Sequence, residues 1–175
     1  MHTVDRVTKQ EEERFNRLVL EHSSFVLKYL RNRMSQNSVV AAEDILNDVM
    51  TIAWKRLDSI PGAAERPWLV AVARNRVLNE RAKRSRRNRI NQLLPRRGAS
   101  PSAEELSIAD STLRTALLAL RESDRETILL VYWEGLKPEE LAIALGTSSR
   151  TAAVRLSRAK QTLMKLLEES QSDDR

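Results

Sequence analysis

Five basic side chains, Arg150, Arg155, Arg158, Lys160 and Lys165, fall in a stretch from Leu141 to Leu167 that contains no acidic residue. Guanidinium and ammonium groups in such a block can hold phosphate oxygens, and an arginine can also fork onto the edge of a guanine. A helix face that merely meets solvent usually mixes signs so that charges pair four residues apart, and this one does not. Ahead of it, Pro138-Glu139-Glu140 suits a first helical turn, where proline's missing N–H costs nothing and carboxylates favour the dipole. Gly146 can take the left-handed conformation of a tight helix exit, and Ser148 or Ser149 can cap the next helix. Helix, short turn and basic helix read as a helix-turn-helix whose second member enters the DNA major groove.

A second basic concentration is denser. Between Arg81 and Arg97 there are eight arginines and lysines and no acid. Such a block repels itself, so either a polyanion covers it or it is a disordered basic linker. Carboxylates also cluster: Asp44, Asn47, Asp48 and Thr51 recur at helical spacing and share one face. Paired carboxylates can do acid–base work, but no nucleophile or histidine accompanies them. That stripe is therefore a solvated face or a docking face for a basic partner. His22, beside Ser23 and Ser24, reads as a surface residue. No phosphate-cradling glycine loop, activated serine or metal-spaced carboxylate set is present, so no catalytic, cofactor or metal residue is assigned. With no cysteine in 175 residues, disulfides and thiolate metal sites are excluded.

The elements that must position these groups are helical. Four glycines, five prolines and 4% aromatic residues leave little material for sheets, while 41% hydrophobic residues suffice for helical cores. No apolar run approaches the roughly 20 residues of a membrane span, and the N-terminus lacks a signal-peptide core, so a cytoplasmic protein with no membrane insertion of its own is expected. Residues 1–100 carry 20 basic against 11 acidic side chains, a net of +9, whereas residues 101–175 carry 10 against 13, a net of −3. The polyanion-binding potential is thus concentrated in the first half.

In chain order, residues 1–12 read as frayed, and Glu13 to Met34 as one bent helix or two in series. Residues 41–57 form an amphipathic helix burying Leu46, Val49, Met50, Ala53, Trp54 and Leu57. A loop over Ser59–Pro67 follows, then a helix starting near Pro67 that buries Trp68, Leu69, Val72, Ala73, Val77 and Leu78 before turning basic. Pro95, Gly98 and Pro101 mark a boundary, and Ser102 with Glu105 suggests that helix resumes near Ala103. Ser123 with Glu126 forms a second capping box, opening a helix that Gly135 ends. Leu141, Leu145, Ala152 and Leu156 should pack on Leu129, Tyr132 and Trp133. The expectation is an all-α protein of two small helical domains joined by a flexible linker, at 13–90, 91–104 and 105–170.

Three stretches resemble the bacterial RNA polymerase sigma factors of the extracytoplasmic-function group. They are Ala42-Glu43-Asp44-Ile45-Leu46-Asn47-Asp48 through Ala53-Trp54, Trp68-Leu69 through Ala73-Arg74-Asn75, and Leu130 to Lys160 with Gly135-Leu136, Leu145-Gly146 and Arg155-Leu156-Ser157-Arg158. They stand in the family's order over about residues 13–167. The resemblance implies a promoter-specificity subunit that lacks catalysis and aids promoter melting. Asp44, Asn47, Asp48 and Thr51 would dock on the β′ coiled coil of core RNA polymerase, and the C-terminal domain would meet the β flap. Arg66, Arg74, Asn75, Asn79, Arg81 and Arg84 would engage the −10 element, where a base leaves the stack. Arg150, Ala153, Val154, Arg155, Ser157 and Arg158 would face the −35 element. The linker would thread toward the active-site and RNA-exit channels, and an anti-sigma protein is implied as a regulatory partner.

Three positions depart from the family pattern. Lys137 stands where a serine or threonine usually caps, Asp48 stands for a glutamate, and Ala153 and Val154 replace longer polar residues. The last change shifts weight toward backbone contacts and DNA shape. The alternative reading is a stand-alone helix-turn-helix regulator, which would favour a symmetric dimer site that this two-domain layout does not suggest.

Overall fold

The computed structural model describes residues 9–34, 40–91 and 111–173, and the regular elements among them are all helical. Helix α1 (Lys9–Arg31) begins ahead of the expected Glu13 and runs unbroken. Glu11 and Glu12 in its first turn and Lys28 and Arg31 in its last complement the helix dipole. It buries Leu18, Val26, Tyr29 and Leu30.

Helix α2 (Ala42–Lys55) packs on α1 and on α3 (Glu65–Asn91). Its buried seam is Ala42, Ile45, Val49 and Ala53; of the expected row, Val49, Ala53 and Leu57 are buried, while Leu46, Met50 and Trp54 are half-buried against the same core. The apolar arc is wide enough for both rows. Small and β-branched side chains take the line of closest helix approach, and the larger ones flank it. Trp54 sits edge-on to Phe15, with ring centroids 4.9 Å apart. A 3-10 turn at Leu57–Ser59 buries Leu57 and leads to buried Ile60. Helix α3 starts before Pro67, which therefore falls in the first turn, where its absent N–H has no helical partner to lose. Its inward face is Leu69, Val70, Ala73 and Val77; Leu78, expected inside, is exposed. The helix continues through Arg84, Arg86 and Arg87 to Asn91, so this part of the basic block is helical.

The second bundle holds α4 (Ser111–Ala119), α5 (Glu122–Tyr132), α6 (Pro138–Leu145) and α7 (Ser149–Asp173). Arg96, Arg97, the helix start near Ala103, the Ser102–Glu105 box and the linker beyond Asn91 lie outside the described residues. Leu117, Leu120, Ile128, Leu130, Leu136, Leu141, Leu145, Ala152 and Leu156 are buried, as the helix-turn-helix pattern requires. Tyr132 and Trp133 are not core residues: Tyr132 is 56% exposed, with the Lys160 ammonium 5.4 Å from its ring centroid. The Ser123–Glu126 capping box does not form either. Helix α5 begins at Glu122 behind Arg121, and Glu126 reaches out of its own bundle instead.

That reach builds a polar seam between the bundles. Arg33, just past α1, is 7% exposed and sends Nε to both Glu126 carboxylate oxygens, at 3.2 and 3.1 Å, and Nη1 to Glu134 Oε1 at 2.7 Å. Its guanidinium lies 3.9 Å from the Tyr29 ring centroid, and the Tyr29 hydroxyl donates to Glu126 at 3.0 Å. Burial alone would make the Arg33 guanidinium easier to deprotonate, but Glu126, Tyr29 and Glu134 outweigh it and hold the charge. Burial first, and then the Glu126 carboxylate, raise the Tyr29 hydroxyl well above its ordinary 10.0. Arg33 Nη2 and Arg66 Nε are buried without hydrogen-bond partners, each a cost of about 1–3 kcal/mol.

A group whose folded pKa is raised contributes stability below its ordinary pKa and loses it as pH climbs past that value. Tyr29→Phe removes one hydrogen bond and should lower stability by about 0.5–1.5 kcal/mol at neutral pH. Urea denaturation should then show the gap to the wild type narrowing above pH 10.0, because only the wild type must keep Tyr29 protonated there.

Candidate functional site

In the helix-turn-helix, the local chemistry that positions the basic helix is explicit. Pro138 begins α6, and the Glu140 carboxylate accepts the Lys137 N–H at 2.7 Å, so the lysine's lack of a capping oxygen is offset from inside the turn. Gly146 ends α6 at φ 62°, in the left-handed region, and the Thr147 N–H donates back to the Ala142 carbonyl at 3.0 Å. Ser148 Oγ accepts the Thr151 N–H at 3.1 Å, so it is Ser148, not Ser149, that caps α7.

From that start α7 sinks Ala152, Leu156 and Ala159 into the bundle. The other side of the helix presents Arg150, Ala153, Val154, Ser157 and Arg158 to solvent, with Arg155 half-buried beside them. Arg150, Val154, Arg155 and Arg158 line one shallow groove together with Thr151, while Ala153 and Ser157, also expected to read DNA, are exposed but do not line it. Arg158 is also tethered, donating at 2.8 Å to the buried carboxylate of Asp124.

On α2, Asp44, Asn47, Asp48 and Thr51 are all exposed and lie along one side. Asp44 helps to cap its own helix, its carboxylate 3.4 Å from the Ala41 N–H. Thr51 returns its hydroxyl to the Asn47 carbonyl at 2.8 Å, and Asp48 lies 3.7 Å from Arg76 of α3. The stripe is anionic, rigidly mounted and lightly paired.

The α3 residues divide into two sets. Asn75, Asn79 and Arg84 are exposed, with the two asparagines one turn apart. Arg66, Arg74 and Arg81 instead face the seam. Arg66 stacks 3.8 Å from the Phe25 ring centroid and donates to the Glu134 carbonyl. Arg81 donates to Glu122 at 2.7 Å and to the Arg33 carbonyl at 2.9 Å. Arg74 lines a cavity between the bundles with Arg33, Arg81, Arg125, Glu122 and Glu126.

Sequence reasoning missed Arg33, Glu126 and Glu134, whose partners are distant in the chain. It also read His22 as a surface residue, whereas its Nε2 lies 3.4 Å from Glu65 and its side chain is mostly covered. Ligand atoms of Glu21, His22 and Glu65 lie within 4.8 Å of one another, but the Arg14 guanidinium 4.0 Å from Glu65 already supplies a positive partner. Among the described residues no helix is long and apolar enough to cross a membrane.

Comparison with known proteins fits both bundles. The family described as Sigma-70 region 2 matches residues 18–87, and the family described as Sigma-70, region 4 matches residues 103–163. RNA polymerase sigma factor NccH of Alcaligenes xylosoxydans xylosoxydans is 29% identical over 175 residues, covering 95% of this chain and 93% of its own length. ECF RNA polymerase sigma factor SigL of Mycobacterium tuberculosis is 27% identical over 154 residues, 85% of this chain and 86% of its own. Two solved structures share the fold. The sigma factor RpoE in complex with the anti-sigma factor NepR, from Bartonella quintana, matches at TM-score 0.57 and 24% identity over 92% of this chain and 98% of that one. CnrH in complex with the cytosolic domain of CnrY matches at TM-score 0.57 and 24% identity over 89% and 88%.

Gly146 offers a clean test of the turn. A Cβ added there meets nothing within 4 Å, so Gly146→Ala carries only the left-handed conformational penalty of about 1–2 kcal/mol. A corresponding drop in the urea midpoint, with helical content kept by circular dichroism, is the expected outcome.

Proposed function

The chain belongs to the sigma-70 family, in its extracytoplasmic-function group, and directs RNA polymerase to promoters; from that premise we propose which surface does which part of the work. The carrying observation is that the two family domains occur in order, each with one exposed face of suitable chemistry. The anionic stripe of Asp44, Asn47, Asp48 and Thr51 docks on basic side chains of the β′ coiled coil of core polymerase. The C-terminal domain meets the β flap.

Helix α3 and the loop before it engage the −10 element. Asn75 and Asn79 present amides able to pair with the edges of unstacked bases, while Arg66, Arg74, Arg81 and Arg84 hold the backbone. Helix α7 lies in the major groove of the −35 element, with Arg150, Arg155 and Arg158 as donors and Ala153, Val154 and Ser157 shaping the contact. No residue is assigned a catalytic part; the factor positions and opens promoter DNA for an enzyme that does the chemistry. It works in the cytoplasm, where that enzyme is. An anti-sigma protein that covers the polymerase-binding faces is a further expected partner, on the strength of family membership.

Reconstitution with core polymerase and a library of genomic promoter fragments tests the assignment, and failure to yield any specific run-off transcript would count against it. Asp48→Lys should weaken core binding by about tenfold or more through like-charge contact, without loss of helical content. Arg155→Ala should flatten the base preference at one −35 position by about 1–3 kcal/mol, read from a promoter selection with the reconstituted holoenzyme.

A further inference from the structure

We propose that Asp124 is a positioning residue for promoter readout: its buried carboxylate fixes the Arg158 guanidinium, so that this arginine reads a base edge of the −35 element instead of clasping phosphate. The inference rests on the assignment of α7 to the −35 major groove. Asp124 lies in the first turn of α5, on a different helix from the arginine it serves. Arg158 Nη2 donates to Asp124 Oδ1 at 2.8 Å. The two ends of the pair differ sharply in exposure, 5% for the Asp124 side chain and 55% for that of Arg158. The carboxylate is the anchored end, and the guanidinium is the end offered to a partner.

A clip serving only to hold α5 on α7 has no need to leave its cation in the open. Those helices already pack on each other, with Ala152, Leu156 and Ala159 of α7 buried. Arg158 instead lines the shallow groove beside Arg150, Val154 and Arg155. Among the described residues Arg158 has a carboxylate partner, and Arg150 and Arg155 have none. Arg125, next to Asp124 in the chain, donates its Nη1 to the Leu118 carbonyl at 3.2 Å, which leaves the Asp124 carboxylate to Arg158.

A guanidinium carries five N–H groups in a planar fork, and one bond to Asp124 leaves the others free. Holding that plane removes in advance the rotamer freedom that an untethered arginine gives up on binding. It also selects the target. Phosphate accepts an arginine from many directions, whereas guanine O6 and N7 accept a fork lying near the base plane. The Asp124 charge works in the same sense: a carboxylate behind the guanidinium lowers its pull on a fully charged phosphate more than on a base edge, which carries only partial charges. Asp124 thus favours discrimination over raw affinity. With Ala153 and Val154 too short for polar readout, Arg158 carries a larger share of it.

The test combines promoter selection and duplex binding by the reconstituted holoenzyme with side-chain relaxation of the full chain. In the free protein, nuclear magnetic resonance of the arginine Nε–H groups should find Arg158 more ordered than Arg150 and Arg155. Arg158→Ala should flatten the preference at one −35 position by about tenfold. Asp124→Asn should flatten the same position by about threefold or more, yet bind a duplex of scrambled −35 sequence more tightly. The salt dependence of that binding should steepen by about one unit of log–log slope, as the released guanidinium neutralises a phosphate. A merely structural role would weaken both duplexes together without steepening the slope. On an Arg158→Ala background, Asp124→Asn should change the base preference no further. Arg158→Lys keeps the charge without the fork, so it should lose the preference and keep the scrambled-duplex affinity.

Equal mobility of the three arginines in the free chain overturns the tether. A selected position that stays sharp in Asp124→Asn, or weaker scrambled-duplex binding by that variant, overturns the positioning role. So does an Asp124→Asn effect that persists undiminished on the Arg158→Ala background. Should Asp124→Asn fail to fold, the mobility comparison and Arg158→Lys decide, and a lysine that keeps the base preference overturns the oriented fork. If neither Arg158→Ala nor Arg155→Ala alters any −35 position, the assignment of α7 fails and the positioning role fails with it. If Arg158→Ala flattens a position that Asp124→Asn leaves intact, the positioning role alone fails.

Discussion

Arg33 sits almost fully buried between Glu126 and Glu134, with the Tyr29 ring beneath it, and this polar knot joins the two bundles beside the apolar packing of α3 on α6. A charge removed from water is tolerated only when its partners are close and well aimed, and removing one partner from such a pair typically costs about 3–5 kcal/mol. The carboxylates come from α5 and from the turn after it, so the pairing fixes where the C-terminal bundle may sit. An apolar contact of similar area would hold the bundles together with less regard for register. This one specifies the orientation in which α3 packs on α6.

The working surfaces fall outside that seam in a consistent way. Each small-residue line of contact, Ala42–Ala53 on α2 and Ala152–Ala159 on α7, lets a helix approach its bundle closely and turns the opposite side outward. On α2 the outward side is anionic, and on α7 it is cationic with two short apolar residues among the arginines. Protein and DNA partners can therefore be met by separate, rigid helix faces. The polar groups on those faces are held by the protein's own bonds, Thr51 to Asn47 within α2 and Arg158 to the buried Asp124 of α5.

What could be read from the chain alone was what local chemistry decides. Pro138, Gly146 and Ser148 marked the helix-turn-helix within a residue, and the exposed stripe of Asp44 to Thr51 followed from helical spacing. What could not be read were choices made by distant partners. Leu46 and Ile45 are equally apolar, and only the approach of α1 and α3 decides which lies on the seam. Glu126 satisfies the spacing of a capping box after Ser123, yet a buried guanidinium 93 positions away is a stronger claimant than an exposed backbone amide. Tyr132 and Trp133 are large and apolar enough for a core, but α5 ends there and the turn carries them outward.

Helix α7 runs from Ser149 to Asp173 without a break, 25 residues, or roughly 37 Å of stiff rod at 1.5 Å per residue. Only its first turns belong to the groove-facing surface; farther along it lies against α4, the first described helix after residue 110. The rod therefore ties the groove-facing surface at its start to the α4 contact farther along. A tilt of about 10° at the groove would carry the far end by about 6 Å over that length. Small changes in the seating of the first turns are in this way magnified at the far end of the rod.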